Sequence, residues 1–162
     1  LMNMFKKLGL TVAGPAILSG CATSFNDVDN LWCPPGEEEI TLSADALFKF
    51  DRSSPQDLLP KGKAELDEVA EKIKARPELI NSIELVGHTD RLGPAEYNYR
   101  LGLARAETVK AYLQSKGVTQ PITATSQGKM QPVTQDCVGD RATPELTACL
   151  QPDRRVTIRF NK

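Results

Sequence analysis

Residues 80–117 read INSIELVGHTDRLGPAEYNYRLGLARAETVKAYLQSKG, and two different periods meet in them. From 80 to 86, Ile83 and Leu85 alternate with Glu84, the two-residue period of a half-buried strand. Residues 87–94, Gly-His-Thr-Asp-Arg-Leu-Gly-Pro, have turn chemistry. From 95 to 116, Leu101, Ala104, Thr108, Val109, Tyr112 and Leu113 recur at helical spacing, which predicts a helix about 33 Å long. Gly117 ends it, since a glycine takes the left-handed conformation that closes a helix. A strand, a tight turn and a long amphipathic helix make a unit that needs a sheet to pack on.

The flanks supply that sheet. Residues 40–50 alternate in places (Ile40, Leu42; Phe48, Phe50) and read as a first strand, followed by loop chemistry at 51–55. Residues 60–76 place Leu66, Val69, Ala70 and Ile73 on one helical face, with Pro60 at the start and Pro77 as the stop. Residues 121–125 read as a short third strand and 127–149 as loop. Arg155 to Phe160 makes a last strand, with Val156, Ile158 and Phe160 facing one way. The order β-α-β-α-β-β predicts an α+β fold, an α/β sandwich with two long helices on one face of a small mixed sheet. Its first two crossovers suit parallel pairing.

Composition sets the outer limits. The 162 residues contain 20 Lys plus Arg and 21 Asp plus Glu, a net charge of −1. A dedicated nucleic-acid binder usually carries a basic excess, so no nucleic-acid partner is expected. No stretch offers the roughly 18 consecutive apolar residues of a spanning helix. One His and no Cys-x-x-Cys leave little for a metal site, and no cofactor is expected.

Residues 1–20 read as a secretory signal, with Lys6 and Lys7 before a short apolar run from Leu8 to Leu18. The run ends in Leu18-Ser19-Gly20-Cys21, which resembles a bacterial lipobox. That resemblance implies a lipidated Cys21 as the first mature residue, palmitate among its acyl chains, and outer-membrane sorting, since Ala22 rather than Asp follows. Residues 21–39 then read as a lipidated N-terminus and flexible tether, stiffened at Pro34-Pro35. The folded domain is expected over 40–162. Cys137 and Cys149 can close a small loop in an oxidising compartment, other pairings also fit, and Cys33 is then left over.

Three groups carry candidate chemistry. Asp90 follows the strand, and Arg105 lies fifteen residues on, bordering the apolar face of the helix. If the helix folds back beside the turn, the two share a pocket. One anion and one fork-shaped cation suit a zwitterion such as an amino acid, although composition alone favours a plain salt bridge between the two that holds loop to helix. His88 is a lone His without a nucleophile or metal ligand nearby, best read as a structural, hydrogen-bonded group. In Asp153-Arg154-Arg155, adjacent arginines on extended chain point to opposite faces.

Gly87-His88-Thr89-Asp90 continues with Gly93, Asn98, Leu101, Arg105-Ala106, Val109 and Tyr112-Leu113, and Arg154-Arg155-Val156 follows near the end. At these spacings residues 40–162 resemble the OmpA-like C-terminal domain, the family of peptidoglycan-associated lipoproteins and of the periplasmic part of flagellar stator proteins. The resemblance implies non-covalent binding of peptidoglycan through the diaminopimelate of its stem peptide. Asp90 matches the residue that takes the ligand's ammonium, and Arg105 the one that takes its carboxylate. Asn98 matches the pocket-shaping Asn. Arg154 matches the first Arg of the family's late Asn-Arg-Arg, and Thr89 and the loop 51–54 fall on the ligand side. Two positions depart from the pattern: Gly102 replaces a usual Ser, and Asp153, a charge beside Arg154, replaces a usual Asn. The two late cysteines before Pro-Asp-Arg-Arg-Val resemble a disulfide-bearing branch of the family, which implies the Cys137–Cys149 pair.

The expectation is a non-enzymatic lipoprotein in the outer membrane, facing the periplasm of a Gram-negative cell. Its acyl chains would hold the membrane and its domain the wall. The alternative is a wall-anchoring subunit of a larger periplasmic or trans-envelope assembly, and the tether leaves room for periplasmic protein partners. A wall hydrolase would need a metal, a nucleophile or two placed carboxylates, which His88 and Asp90 do not supply.

Overall fold

A computed structural model describes residues 38–162. The lipobox Cys21, the leftover Cys33 and most of the proposed tether lie outside the described residues. Four strands form one mixed sheet: β1 (Glu38–Ser43), β2 (Ser82–His88), β3 (Ile122–Gly128) and β4 (Arg155–Asn161), in spatial order β1-β4-β2-β3. The helices are a single turn α1 (Ala44–Leu47), the long α2 (Pro60–Ala75) and α3 (Ala95–Ser115), and a short α4 (Pro144–Cys149). The long helices pack on one face of the sheet, as the periodicity predicts.

The pairing differs from expectation in one respect. β2 and β3 pair in parallel, but β1 and β2 do not touch, because β4 inserts between them and is antiparallel to both. The alternating apolar set of β4 explains its central position. Val156, Ile158 and Phe160 are buried against the helices, and the strand needs a neighbour on each edge to satisfy its backbone. Exposed charges mark the β1 edge, where Glu39 pairs with Arg159, an arrangement that discourages further strand pairing.

The predicted strand 40–50 is shorter than its pattern. It ends at Ser43, the chain turns through α1, and Phe48 makes an isolated bridge to Leu58. Leu42, Leu47 and Phe48 are all buried, but by a bend that delivers them to the same core as Leu66, Val69, Ala70 and Ile73 of α2. The third strand runs longer than expected, to Gly128, and the predicted loop 127–149 contains α4. Thr143 caps α4 by accepting the Leu146 N–H through its hydroxyl, which satisfies one orphan donor. The Cys137–Cys149 disulfide ties this segment together and stabilises by about 3 kcal/mol in the chain-entropy view.

Helix α3 is rotated from its predicted stripe. Leu101 and Ala104 are only half-buried, while Asn98, Gly102, Arg105, Ala106, Val109 and Leu113 face inward. The cause is a close backbone approach. A Cβ on Gly102 would lie 2.4 Å from the Ser126 hydroxyl, and one on Gly87 only 1.9 Å from the Gly102 carbonyl oxygen. Two glycines let helix and strand touch main chain to main chain, and this contact turns Arg105 inward with Gly102.

Candidate functional site

The end of β2 sets the site. Its ladder to β3 slips between Gly87 and His88, where Gly87 pairs Ser126 but His88 pairs Gly128. The Thr89 N–H then donates to the Gly128 carbonyl at 2.9 Å, so the strand leaves the sheet at a fixed point, one residue before Asp90. The Leu92 N–H donates to Asp90 Oδ1 at 3.0 Å, and the Asn98 side-chain amide donates to the Leu92 carbonyl at 2.8 Å. The carboxylate is held by its own turn, and the turn by the first turns of α3.

The predicted group converges. Thr89, Asp90, Asn98, Arg105 and Arg154 all line one cleft of about 170 Å³. The simple Asp90–Arg105 salt bridge does not form. Asp90 pairs with Arg154 instead, Nη1 to Oδ2 at 2.9 Å. Its other nitrogens are held too: Nε and Nη2 donate to the Asp45 carboxylate, and Nη1 also donates to the Thr147 carbonyl at 3.0 Å. Asp45 first, then Asp90, hold its pKa above the usual arginine value despite burial. Arg154 is therefore a clamp on Asp90, with every one of its three nitrogens already donating within the protein. Asp45 is a residue that sequence reading missed, because it lies 109 positions away in a stretch read as strand.

Arg105 is the contrasting case. It is 2% exposed, its Nε donates to the Arg52 carbonyl at 2.9 Å, and its guanidinium lies 5.8 Å from the centre of the Phe48 ring. Its Nη1 is buried with no hydrogen-bond partner among the described residues. Burial pulls its pKa down, while Asp45 and Asp51 oppose the shift. A buried guanidinium with an unmet donor demands an acceptor. Asp90 keeps acceptor capacity, since each carboxylate oxygen offers two lone pairs and spends one.

The loop after Phe50 closes the other side. Asp51 sits in left-handed backbone at φ 56° and accepts the Tyr97 hydroxyl at 2.7 Å. The Thr108 hydroxyl donates to the Ser53 carbonyl at 2.5 Å, which fixes the loop on α3 beside Arg105. Tyr97 was not singled out from the sequence. Thr89 lines the cleft but turns its hydroxyl donor onto the Asp90 carbonyl at 3.1 Å, so its donors stay within the protein.

Asp153 and His88, both singled out from the sequence, are engaged elsewhere. Asp153 does not neutralise Arg154. Its carboxylate accepts the Val133 and Thr134 N–H groups at 2.7 and 2.9 Å, and the Thr134 hydroxyl at 2.6 Å. Three donors converging on one acceptor suit a carboxylate better than an amide. His88 is not at the cleft. It lies on the opposite face of the sheet, paired across the ladder with Arg155, its Nε2 3.4 Å from the Thr157 hydroxyl and its Nδ1 unpartnered among the described residues.

Burial, with Arg155 and Arg159 adding to it, pushes the His88 pKa from 6.5 down to about 4. The unfolded chain takes up this proton near 6.5 and the folded one only near 4. Stability from this group is thus complete above about pH 6.5 and is lost as pH falls toward 4, by up to about 3 kcal/mol. Urea unfolding of the parent and His88→Gln at pH 7 and pH 4.5 checks this. The parent is expected to lose more stability across that interval than the variant, and equal losses would remove His88 as the titrating group.

The family model described as the OmpA family matches residues 47–143, and the chain belongs to that family. Asp90, Asn98 and Arg105 fall inside the matched residues. Outer membrane protein A of Shimwellia blattae is 38% identical over 123 residues, 75% of this chain and 50% of that protein. Its counterpart in Klebsiella aerogenes is 37% identical over 121 residues, covering 74% of this chain and 34% of that protein. The chain thus spans a third to a half of the length of these relatives. Among solved structures, the peptidoglycan-associated lipoprotein of Burkholderia pseudomallei is 30% identical with a TM-score of 0.57, covering 75% of this chain and 89% of that one. The periplasmic domain of Helicobacter pylori MotB shares the fold at 20% identity and a TM-score of 0.63, over 80% of this chain and 79% of that one.

Proposed function

We propose that this chain is an outer-membrane lipoprotein that grips the cell wall without cutting it. Its ligand is the diaminopimelate of the peptidoglycan stem peptide. Arg105 takes the carboxylate of that zwitterion and Asp90 its ammonium. Asn98 and Thr89 shape the turn that presents Asp90, and Arg154 orients it. The observation that carries this reading is the buried, incompletely partnered guanidinium of Arg105 in one small cleft with a pre-positioned carboxylate. A relative of solved structure, 30% identical, is a peptidoglycan-associated lipoprotein, which supports attachment to peptidoglycan and a lipoprotein setting.

Attachment to the membrane rests on Leu18-Ser19-Gly20-Cys21, whose cysteine would carry the acyl chains. No helix among the described residues is long and apolar enough to cross a membrane. Without residues 1–20, which hold Lys6, Lys7 and no acid, the chain has 18 basic and 21 acidic residues, a net charge of −3 that gives no electrostatic attraction to anionic lipid, so hydrophobic anchorage is the reading that fits. Weak individual grips suffice in such a link, because many tethered copies act together.

The test is co-sedimentation of the full chain, in detergent, with purified sacculi containing diaminopimelate and with sacculi containing lysine in its place. The protein is expected to pellet with the first, to be released by millimolar free diaminopimelate, and to pellet less with the second, which lacks the distal carboxylate. Equal pelleting with both, or none with either, would overturn the ligand assignment.

A further inference from the structure

The segment closed by the disulfide lies away from the long helices, yet it is fastened to the Asp90 turn from both sides. Arg91, the residue after Asp90, sends Nη2 to the carbonyls of Cys137 at 2.7 Å and Gly139 at 2.6 Å. Leu92, whose N–H holds Asp90 Oδ1, packs against a separate small core of Cys137, Leu146 and Leu150. On the far side, the Arg154 Nη1 that binds Asp90 Oδ2 also binds the carbonyl of Thr147, inside the same segment. Both oxygens of the Asp90 carboxylate are thus held by groups that also hold the disulfide segment. Ala142 and Thr147 of that segment form part of the cleft wall.

We infer that the disulfide-closed segment 137–149, gripped by Arg91, is a positioning element for the Asp90 carboxylate, and that Arg91 sets ligand affinity without touching the ligand. Two backbone carbonyls of the segment fix one guanidinium. That guanidinium fixes the chain on one side of Asp90, while a third carbonyl, from Thr147, fixes Arg154 on the other. Loosening the segment lets Asp90 swing while the main core, which shares no residue with the small one, stays packed. A positioned charge is worth more than a free one, because the cost of holding it is met before the ligand arrives. The role given to Asp90 in ligand binding rests on the function proposed above, whereas the positioning itself does not.

The test uses the full chain as parent, Arg91→Ala, Arg91→Lys, and Cys137→Ser with Cys149→Ser. Amide hydrogen exchange at Leu92 reads the grip on Asp90 directly, and sacculus binding reads the consequence. Arg91→Ala is expected to speed Leu92 exchange at least tenfold and weaken binding about tenfold, with exchange in β2 and β4 unchanged. Arg91→Lys, whose single-nitrogen head on a shorter, more flexible stem must replace the one Nη2 that reaches both carbonyls, is expected to fall between. The double Cys variant is expected to match Arg91→Ala at temperatures where its circular dichroism is native. A merely structural role would change exchange throughout the domain rather than at Leu92. Unchanged Leu92 exchange in folded Arg91→Ala overturns the inference, and so does a parent that binds sacculi with an Arg91→Ala variant that binds equally. If the parent fails to bind while Leu92 exchange responds as expected, the peptidoglycan reading falls and the positioning stands.

Discussion

Arg105→Met is expected to abolish sacculus binding while leaving the domain at least as stable as the parent. Arg105 is among the most buried polar residues described, and its Nη1 has no partner there. An unmet charged donor of this kind costs stability, and apolar replacement of buried charge is often neutral or favourable. The substitution removes one hydrogen bond to the Arg52 carbonyl, worth about 1 kcal/mol. Methionine keeps the volume and a favourable sulfur contact with the Phe48 ring. The net change in unfolding free energy is therefore expected between zero and about +2 kcal/mol. Losing the partner of a buried ligand carboxylate costs about 2–5 kcal/mol of binding, some thirtyfold to several-thousandfold. Thermal melting and co-sedimentation of the same sample check both halves. A variant that melts well below the parent would make Arg105 a structural strut. A stable variant that still pellets would take carboxylate recognition away from it. The expected opposition, binding lost where stability is kept, is what a site held in readiness at the expense of the fold predicts.

What could be read from residues alone follows from how local the cause is. The β2-turn-α3 unit was legible because its strand alternation, its Gly- and Pro-rich turn and its helical spacing lie within one continuous stretch. Asp90 and Arg105 were legible as a pair of opposite charges that a return of the helix brings to one cleft. Their actual partners were not, because Asp45 and Arg52 meet Arg154 and Arg105 across separations of 109 and 53 residues. No periodicity carries that information. The insertion of β4 between β1 and β2 is another long-range event, decided by which strand best fills the middle of the sheet. The first strand was over-read because Phe48 and Phe50 continue the alternation past Ser43. Tertiary packing bends the chain there, burying Phe48 and leaving Phe50 74% exposed at the lip of the cleft. Gly102 was legible as a departure from the family's serine, but its compensation was not: Ser126 on β3 brings a hydroxyl to within 2.4 Å of where a Cβ at 102 would stand.

Gly87→Ala is expected to cost at least about 3 kcal/mol, the upper end of what overpacking usually costs and a large share of the 5–15 kcal/mol that hold a typical domain. A Cβ at 87 would stand 1.9 Å from the Gly102 carbonyl oxygen and 2.4 Å from its carbonyl carbon. All the nearest obstacles are backbone, so no rotamer change relieves them. Helix α3 would have to move away from the sheet, taking Ala106, Val109 and Leu113 out of the core and Asn98 and Arg105 out of the cleft. Gly102→Ala is a milder version of the same collision. Its nearest obstacle is the Ser126 hydroxyl at 2.4 Å, with the Gly87 carbonyl behind it at 3.0 Å. That hydroxyl donates to the Gly87 carbonyl at 3.3 Å and accepts the Gly128 N–H at 3.0 Å, so displacing it has its own cost. About 1–3 kcal/mol is expected for Gly102→Ala alone. Combined with Ser126→Ala it should cost less than the sum of the two single changes by about 1 kcal/mol, the mark of residues in direct contact. Denaturant unfolding of the four proteins, with Gly87→Ala beside them, measures each quantity. If Gly87→Ala unfolds within 1 kcal/mol of the parent, the backbone contact does not set the height of α3 above the sheet. The inward turn of Arg105 would then need another cause.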